Sequence, residues 1–299
     1  MNKFVHTLSD EFKNIFFIEG EQNARYPYSH SFLIENYLID TGISNKRVKK
    51  LKRLFQINHV LLSHWHEDHI SGNGLLKGAE FYCHKDDKPA IEDIEKMFPY
   101  YNVQNTTAGE EFRKLLEIFG IENTHIDKTF EDNEIINIGE HLKLKVIHTP
   151  GHTAGHCGFY EIKTQIAFLG DIDLTRFPYY ANIDSNLIDF EDSIEKLKDL
   201  DIKIVLTGHR DPIEGQDNIK EELDNFKSII LKRDERILEN LSEKIPINAI
   251  DLKHKNLIYK RYNYENFEVI SELVMIKKHF DKFIINGLIE PKENGFVLS

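Results

Sequence analysis

Apolar residues fall in short runs over the first forty positions and at helical spacing further on. Phe4 to Leu8, Ile15 to Ile18, Ser31 to Ile34 and Tyr37 to Ile39 are apolar or alternating stretches separated by Asp, Glu, Asn and Gly, and read as strands. Ser44 is placed to cap a helix running to Phe55, with Val48, Leu51 and Phe55 on one face. The opposite face carries Lys46, Arg47, Lys49, Lys50, Lys52 and Arg53, read as a solvated face ahead of a phosphate-binding patch. His59 to Leu62 reads as a buried strand, Ser71 to Gly74 as the turn into a short helix, and Ala79 to Cys83 as the next strand.

Residues 85–121 break this rhythm. Amphipathic stretches around Ile91-Ile94-Met97-Phe98 and Phe112-Leu115-Leu116-Phe119 flank a polar loop, and together they predict a helical insertion. It either caps a pocket, through Phe98, Tyr100 and Tyr101, or packs outside. Short strands return from His125 to Val146, with a hairpin at Asn137 to Glu140, and continue at Gly158 to Tyr160 and Ile166 to Leu169. Leu187, Phe190, Ile194 and Leu197 predict a helix over Asn186 to Leu200, and Ile202 to Leu206 a last buried strand. Past Asp211-Pro212 the period becomes helical through Ile219, Leu223, Phe226, Ile230, Ile237 and Leu241. A second helix, Phe267 to Ile285, and two short strands around Gly287 to Leu298 close the chain. The pattern is α/β, with a boundary expected between 1–215 and 216–299.

At 299 residues there is ample chain to bury a core, and 40% hydrophobic with 29% charged residues is ordinary for a globular protein. No run approaches the roughly 20 apolar residues of a membrane helix. Met1 to Asp10 lacks the apolar core of a secretory signal. Cys83 and Cys157 sit in strand-like contexts and read as buried reduced thiols. A cytoplasmic location is expected from these features. The net charge is −12; residues 216–299 hold 14 Lys+Arg against 15 Asp+Glu, leaving 24 against 35 in residues 1–215. That acidity repels polyanions at long range, which argues against nucleic acid while leaving a local patch open.

The densest chemistry is Ser63-His64-Trp65-His66-Glu67-Asp68-His69, directly after an apolar strand. In an extended segment His64, His66 and Asp68 point one way and Trp65 and Glu67 the other, so two imidazoles can share a cation. A turn at Asp68-His69 can aim a carboxylate and a third imidazole at a second one. Three further Gly-rich turns follow apolar runs: Thr149-Pro150-Gly151-His152, Leu169-Gly170-Asp171 and Thr207-Gly208-His209.

These residues resemble the metallo-β-lactamase superfamily, whose H-x-H-x-D-H motif is followed by a distant His, Asp and His. The resemblance implies a four-layer αββα sandwich, with the tail similar to the small winged-helix-like region of its lactamase-β-like branch. It implies two divalent ions, with Zn expected and Fe or Mn as alternatives. His64, His66 and His152 would hold one ion, Asp68, His69 and His209 the other, and Asp171 would bridge. Asp68 would also orient a metal-bridging hydroxide. In relatives with a similar turn, a carboxylate at the place of Asp40 supports the metal loop. His156 would either support the site or serve the core. Arg176, Tyr179 and Tyr180 stand where relatives place substrate-contacting groups, and Arg210 could meet an anion. His66 replaces the Glu of the flavodiiron branch, and Asp171 the Cys of secreted β-lactamases.

Hydrolysis of a small-molecule ester, thioester or lactone is the expected activity. RNA phosphodiester cleavage is the alternative, and a non-catalytic protein keeping a structural metal a third reading. Hydroxyacylglutathione hydrolases share the motif, but no match to their glutathione-binding residues stands out. The charged helix after residue 216 is a candidate homodimer surface.

Overall fold

The computed structural model describes residues 3–8 and 14–299. The leader reading of Met1 to Asp10 therefore lies partly outside the described residues. Seven strands form a first sheet in sequence order: β1 (Val5–Thr7), β2 (Ile15–Ile18), β3 (Ser31–Ile34), β4 (Tyr37–Ile39), β5 (His59–Leu61), β6 (Glu80–His84) and β7 (Lys128–Phe130). Its first four strands are antiparallel and its last four parallel. The second sheet contains β8 (Ile135–Ile138), β9 (Leu142–His148), β10 (Cys157–Glu161), β11 (Ile166–Phe168), β12 (Ile204–Leu206) and β13 (Ile213–Glu214), in the order β13-β12-β11-β10-β9-β8.

Side-chain alternation turns these sheets into layers. Ile15, Phe17, Phe32, Ile39 and Leu61 of the first sheet meet Leu144, Val146, Phe159, Phe168 and Leu206 of the second in one dry core. The first sheet's outer residues, Leu33, Leu38, Val60 and Phe81, are covered by Val48 and Leu51 of the Asn45–Leu54 helix and by the insertion. On the far side, Ala167 and Val205 are covered by Phe190 and Ile194 of the Leu187–Lys198 helix and by Phe226, Ile230, Met275 and Phe283 of two longer helices, Gln216–Leu238 and Glu265–Ile285. Four layers, αββα, result.

Helix limits follow capping chemistry. Ser44 Oγ accepts from the Arg47 amide, Thr106 Oγ1 from Gly109 and Asn186 Oδ1 from Ile188 and Asp189, each satisfying orphan donors of a first turn. The insertion resolves into Lys88–Glu92, Met97–Tyr100 and Thr107–Phe119 helices, and it packs on the outside of the first sheet. Tyr101 reaches His66, Tyr100 rests on Trp65, and Phe98 turns away to Phe112 and Arg113. The chain closes in the hairpin β14 (Ile289–Lys292) and β15 (Gly295–Leu298), with Ile247 bridged to Phe296. Both long helices and Ile289 share the core that covers the second sheet. Among the described residues no helix is long and apolar enough to cross a membrane.

Candidate metal centre

One edge of the sandwich receives every motif. β10 is antiparallel to both β9 and β11, and β12 is parallel to β11, so β9, β11 and β12 run the same way. The chain leaves their C-terminal ends at His152, Asp171 and His209, and leaves β5 of the facing sheet at His64. After the extended step His64 to His66 the chain turns into the single helical turn Glu67–Ile70. That change of period sends His66 and Asp68 to different groups. His64, His66, His152 and Asp171 gather in one, and Asp68, His69 and His209 in the other. All seven candidates therefore converge.

Their hydrogen bonds show what the convergence demands. Ser63 Oγ donates to Asp40 Oδ2 at 2.7 Å, so His64 Nδ1, 2.9 Å from that hydroxyl oxygen, is the donor in its own contact. His69 Nδ1 lies 2.7 Å from Asp40 Oδ2, His152 Nδ1 is 2.8 Å from the Tyr179 carbonyl, and His209 Nδ1 is 2.8 Å from the Ala24 carbonyl. Each partner accepts only, which places a proton on Nδ1 in all four rings and turns every Nε2 inwards; in neutral His64 and His152 that Nε2 holds a lone pair. Those inward nitrogens face one another: His152 Nε2 is 3.2 Å from His64 Nε2, and His69 Nε2 is 3.4 Å from His209 Nε2. His66 Nδ1 stands 3.0 Å from His152 Nε2. The facing lone pairs of His64 and His152 repel unless a cation lies between them.

Asp171 faces both groups. Its Oδ2 lies 3.4 Å from His152 Nε2 and 3.8 Å from His64 Nε2, while Oδ1 lies 2.9 Å from His69 Nε2 and 3.4 Å from His209 Nε2. Asp68 Oδ2 is 3.3 Å from His209 Nε2. The donor set, imidazole nitrogen plus carboxylate oxygen, fits a pair of divalent ions.

Electrostatics agree with that fit. Burial, then neighbouring imidazoles, pull His64 and His66 well below the usual imidazole range, and burial lowers His152. Burial pulls His69 and His209 down too, but Asp171 and Asp68 outweigh it and hold both well above, so without a metal ion each carries a second proton, on the Nε2 that faces the carboxylates. Against its own burial, Asp171 is held well below the carboxylate range by His69 and His209. The centre calls for positive charge.

The supporting candidates divide. Asp40 is fully buried, and its Oδ1 also accepts from the Ser63 amide at 2.8 Å. His156 accepts the Asp171 amide on Nε2 at 3.0 Å, with Nδ1 on Thr149 Oγ1 at 2.8 Å, so it holds Asp171 through the backbone. Gly170, between them, has a φ of +52° and lies so close that a Cβ would stand 2.6 Å from His156 Nε2. The Tyr179 ring lies 6.0 Å from those of His66 and His152. Tyr180 turns away, into the helices beyond residue 216. Arg176 is exposed, and Arg210 is spent on Glu222 and the Leu174 carbonyl, both at 2.6 Å.

Sequence reasoning did not single out three other groups. Glu67 is buried and accepts from the hydroxyls of Tyr26 and Tyr101, both at 2.7 Å; burial and then Asp68 push its carboxyl up to about 7. Asp87 takes the Trp65 amide, the Gly155 amide and Thr153 Oγ1, which ties the metal loop to the His152 loop. The Asn182 amide closes on His66 Nε2 at 2.7 Å. Such partners come from distant segments with no period of their own, so no local signal marks them. A further grouping, His84, Asp86 and His148, fits a cation poorly. Its two rings stack at 4.1 Å with an 11° tilt, and lone pairs lie in the ring planes, so one ion cannot meet both.

Comparison with known proteins agrees with fold and motif. A Beta-lactamase-like protein 2 homolog of Caenorhabditis elegans is 27% identical over 226 residues, covering 73% of this chain and 65% of the relative. The chain thus spans just under two thirds of that relative's length. Hydroxyacylglutathione hydrolase GloC of Haemophilus influenzae is 30% identical over 146 residues, covering 45% of this chain and 59% of the relative. A metallo-beta-lactamase family protein of Thermus thermophilus shares the fold with a TM-score of 0.69 at 18% identity, over 99% of this chain and 97% of that one. The family model matches residues 26–209, the span from Tyr26 to the last of the seven candidates, and the chain belongs to the metallo-beta-lactamase superfamily.

Proposed function

We propose that the protein is a metal-dependent hydrolase that cleaves a small ester, thioester or lactone. The observation that carries this reading is the convergence of buried imidazole nitrogens, turned inwards by their Nδ1 partners, on the two oxygens of Asp171. His64, His66 and His152 would hold one divalent ion, Asp68, His69 and His209 the other, and Asp171 would join them, one oxygen towards each. Two such ions supply Lewis acidity and lower the pKa of a water from 15.7 towards about 7.

The chain's own groups do the rest. Asp40 orients His69 directly and His64 through Ser63, and the carbonyls of Tyr179 and Ala24 orient His152 and His209. Asp68 holds a carboxylate oxygen at the centre, where it can orient a nucleophile and take its proton. The side chains of His209 and Asp171 are 17% and 12% exposed while His64, His69 and His152 are fully buried, so a substrate approaches from the His209 side. Zinc is the proposed metal, with iron or manganese as alternatives. Residues 1–215 are proposed as the catalytic part and 216–299 as a helical, hairpin-closed unit on its outer face.

The name hydroxyacylglutathione hydrolase denotes cleavage of an acyl–sulfur bond, which supports including thioesters. A panel of thioesters, lactones and aryl esters, assayed with the zinc-, iron- and manganese-loaded chain, tests the proposal. Turnover well above that of His66→Ala is expected for one class. Equal rates for the two proteins across the panel would refute it.

A further inference from the structure

The stretch Pro178 to Ser185 has no regular structure, yet it holds two candidate ligands. The Tyr179 carbonyl meets His152 Nδ1 at 2.8 Å, Ser185 Oγ donates to the His152 carbonyl at 2.6 Å, and the Asn182 amide lies 2.7 Å from His66 Nε2. A bare loop fixes a carbonyl poorly. This one is gripped from residues far along the chain.

Arg233, on the Gln216–Leu238 helix, donates to the Pro178 carbonyl at 2.6 Å and to the Tyr180 hydroxyl at 3.0 Å. Its guanidinium also lies over the rings of Phe177 and Tyr180, 4.7 and 5.4 Å from their centroids. The Tyr180 hydroxyl meets His279 Nε2 at 2.8 Å, and His279 Nδ1 meets Asp234 Oδ1 at 2.6 Å. Asp234 Oδ2 accepts from Lys282 at 2.6 Å, and Lys282 also pairs with Glu191. Further along the same stretch, the Ile183 carbonyl accepts from Lys278 at 2.7 Å.

Arg233 is 1% exposed, and Tyr180 and His279 are fully buried. Burying a guanidinium costs several kcal/mol, and an apolar side chain of similar volume would often serve stability as well or better. Donors aimed at single backbone and hydroxyl oxygens do something an apolar side chain cannot: they fix position. Pro178 and Tyr180 are gripped on either side of Tyr179, the residue whose carbonyl orients His152.

We propose that Arg233, Tyr180 and His279 are positioning residues for the metal centre, through which residues 216–299 set the ring orientation of His152. The proposal rests on the metal-binding reading above and extends it to the C-terminal helices. It predicts an asymmetric effect. Loosening the grip weakens the ion held by His64, His66 and His152 and spares the one held by Asp68, His69 and His209.

Zinc is titrated against a chromophoric chelator in the full chain, with His152→Ala and His209→Ala marking which affinity belongs to which half. Tyr180→Phe and Arg233→Met are expected to weaken the His152-marked affinity about tenfold, the low end for outer partners of a metal ligand. The His209-marked affinity should stay within about twofold. A purely structural role would lower the melting temperature without this asymmetry. Should Arg233→Met not fold, Tyr180→Phe decides alone, since it removes one oxygen and preserves volume. Two zinc ions bound by wild type with unchanged affinities in Tyr180→Phe would overturn the grip alone. No zinc uptake by wild type would overturn the metal centre, and the grip with it.

Discussion

Two buried polar clusters flank the Pro178 to Ser185 stretch, and they treat hydrogen bonds in opposite ways. In the C-terminal cluster donors meet acceptors: Arg233 with Pro178 O and Tyr180, Tyr180 with His279, His279 and Lys282 with Asp234. At the sheet edge His64 and His152 set acceptor against acceptor, their Nε2 atoms 3.2 Å apart, while His69 and His209 crowd a second pair of nitrogens, 3.4 Å apart, around Asp171. A closed network is a structural element, and it stabilises one arrangement of the chain. An open one, held in place by protons committed outwards, is a binding site for what would close it. Burial alone does not distinguish them; the direction of the lone pairs does.

The largest expected effect comes from Asp171→Asn, which keeps the shape but removes the charge facing both halves. Hydrolysis should fall on the order of 10³-fold with whichever substrate the panel reveals. Near-wild-type turnover would mean that the carboxylate is not part of the centre.

The closed cluster predicts the converse, a loss of stability. Asp234→Ala strands His279 Nδ1–H and one contact of Lys282. Urea unfolding should show a loss of about 3 kcal/mol, the low end for breaking a buried ion pair, because Lys282 keeps Glu191. In chelator, His152→Ala should cost far less than a typical buried side chain, since it relieves facing lone pairs. Equal losses for the two variants would erase the contrast.

Each zinc ion bound should stabilise the folded chain by about 2.7 kcal/mol at a free concentration about one hundred times the dissociation constant of its site, read as a rise in urea midpoint. An unchanged midpoint at saturating zinc would count against an open site.

The smallest effect concerns His84, stacked on His148 and outside both clusters. Burial, then His148, lower its pKa from 6.5 to about 4. The unfolded chain therefore takes up a proton before the folded one does, so this residue makes stability fall as pH drops from about 6.5 towards 4. His84→Gln should show a shallower loss of urea midpoint between about pH 7 and 5, with two zinc ions still bound. A slope as steep as wild type would remove His84 from the account.

Much of the fold and of the site is legible in the chain itself. Ser44 and Asn186 cap the helices where the pattern puts them, and β2 to β5 fall on the apolar runs, because capping and alternation are local. The four ligand groups packed into His64 to His69 announce a metal because so dense a cluster has few other uses. Other residues are not legible. Tyr180 sits in the right stretch for substrate contact, yet its side chain turns to Arg233 and His279, 53 and 99 residues away in sequence. Phe98, a candidate for the pocket, faces Phe112. Asn182 and Glu67 gave no signal.

The sequence by itself determined the strands, the helix caps and the chemical character of the site, since each follows from short-range periodicity and residue type, and the resemblance of its metal motifs implied the sandwich. The tertiary structure alone decided which nitrogen of each imidazole faces inwards, which polar cluster is closed, and that helices beyond residue 216 grip the loop beside His152. Those outcomes depend on partners many residues away, and direction in space is fixed by packing rather than by neighbours along the chain.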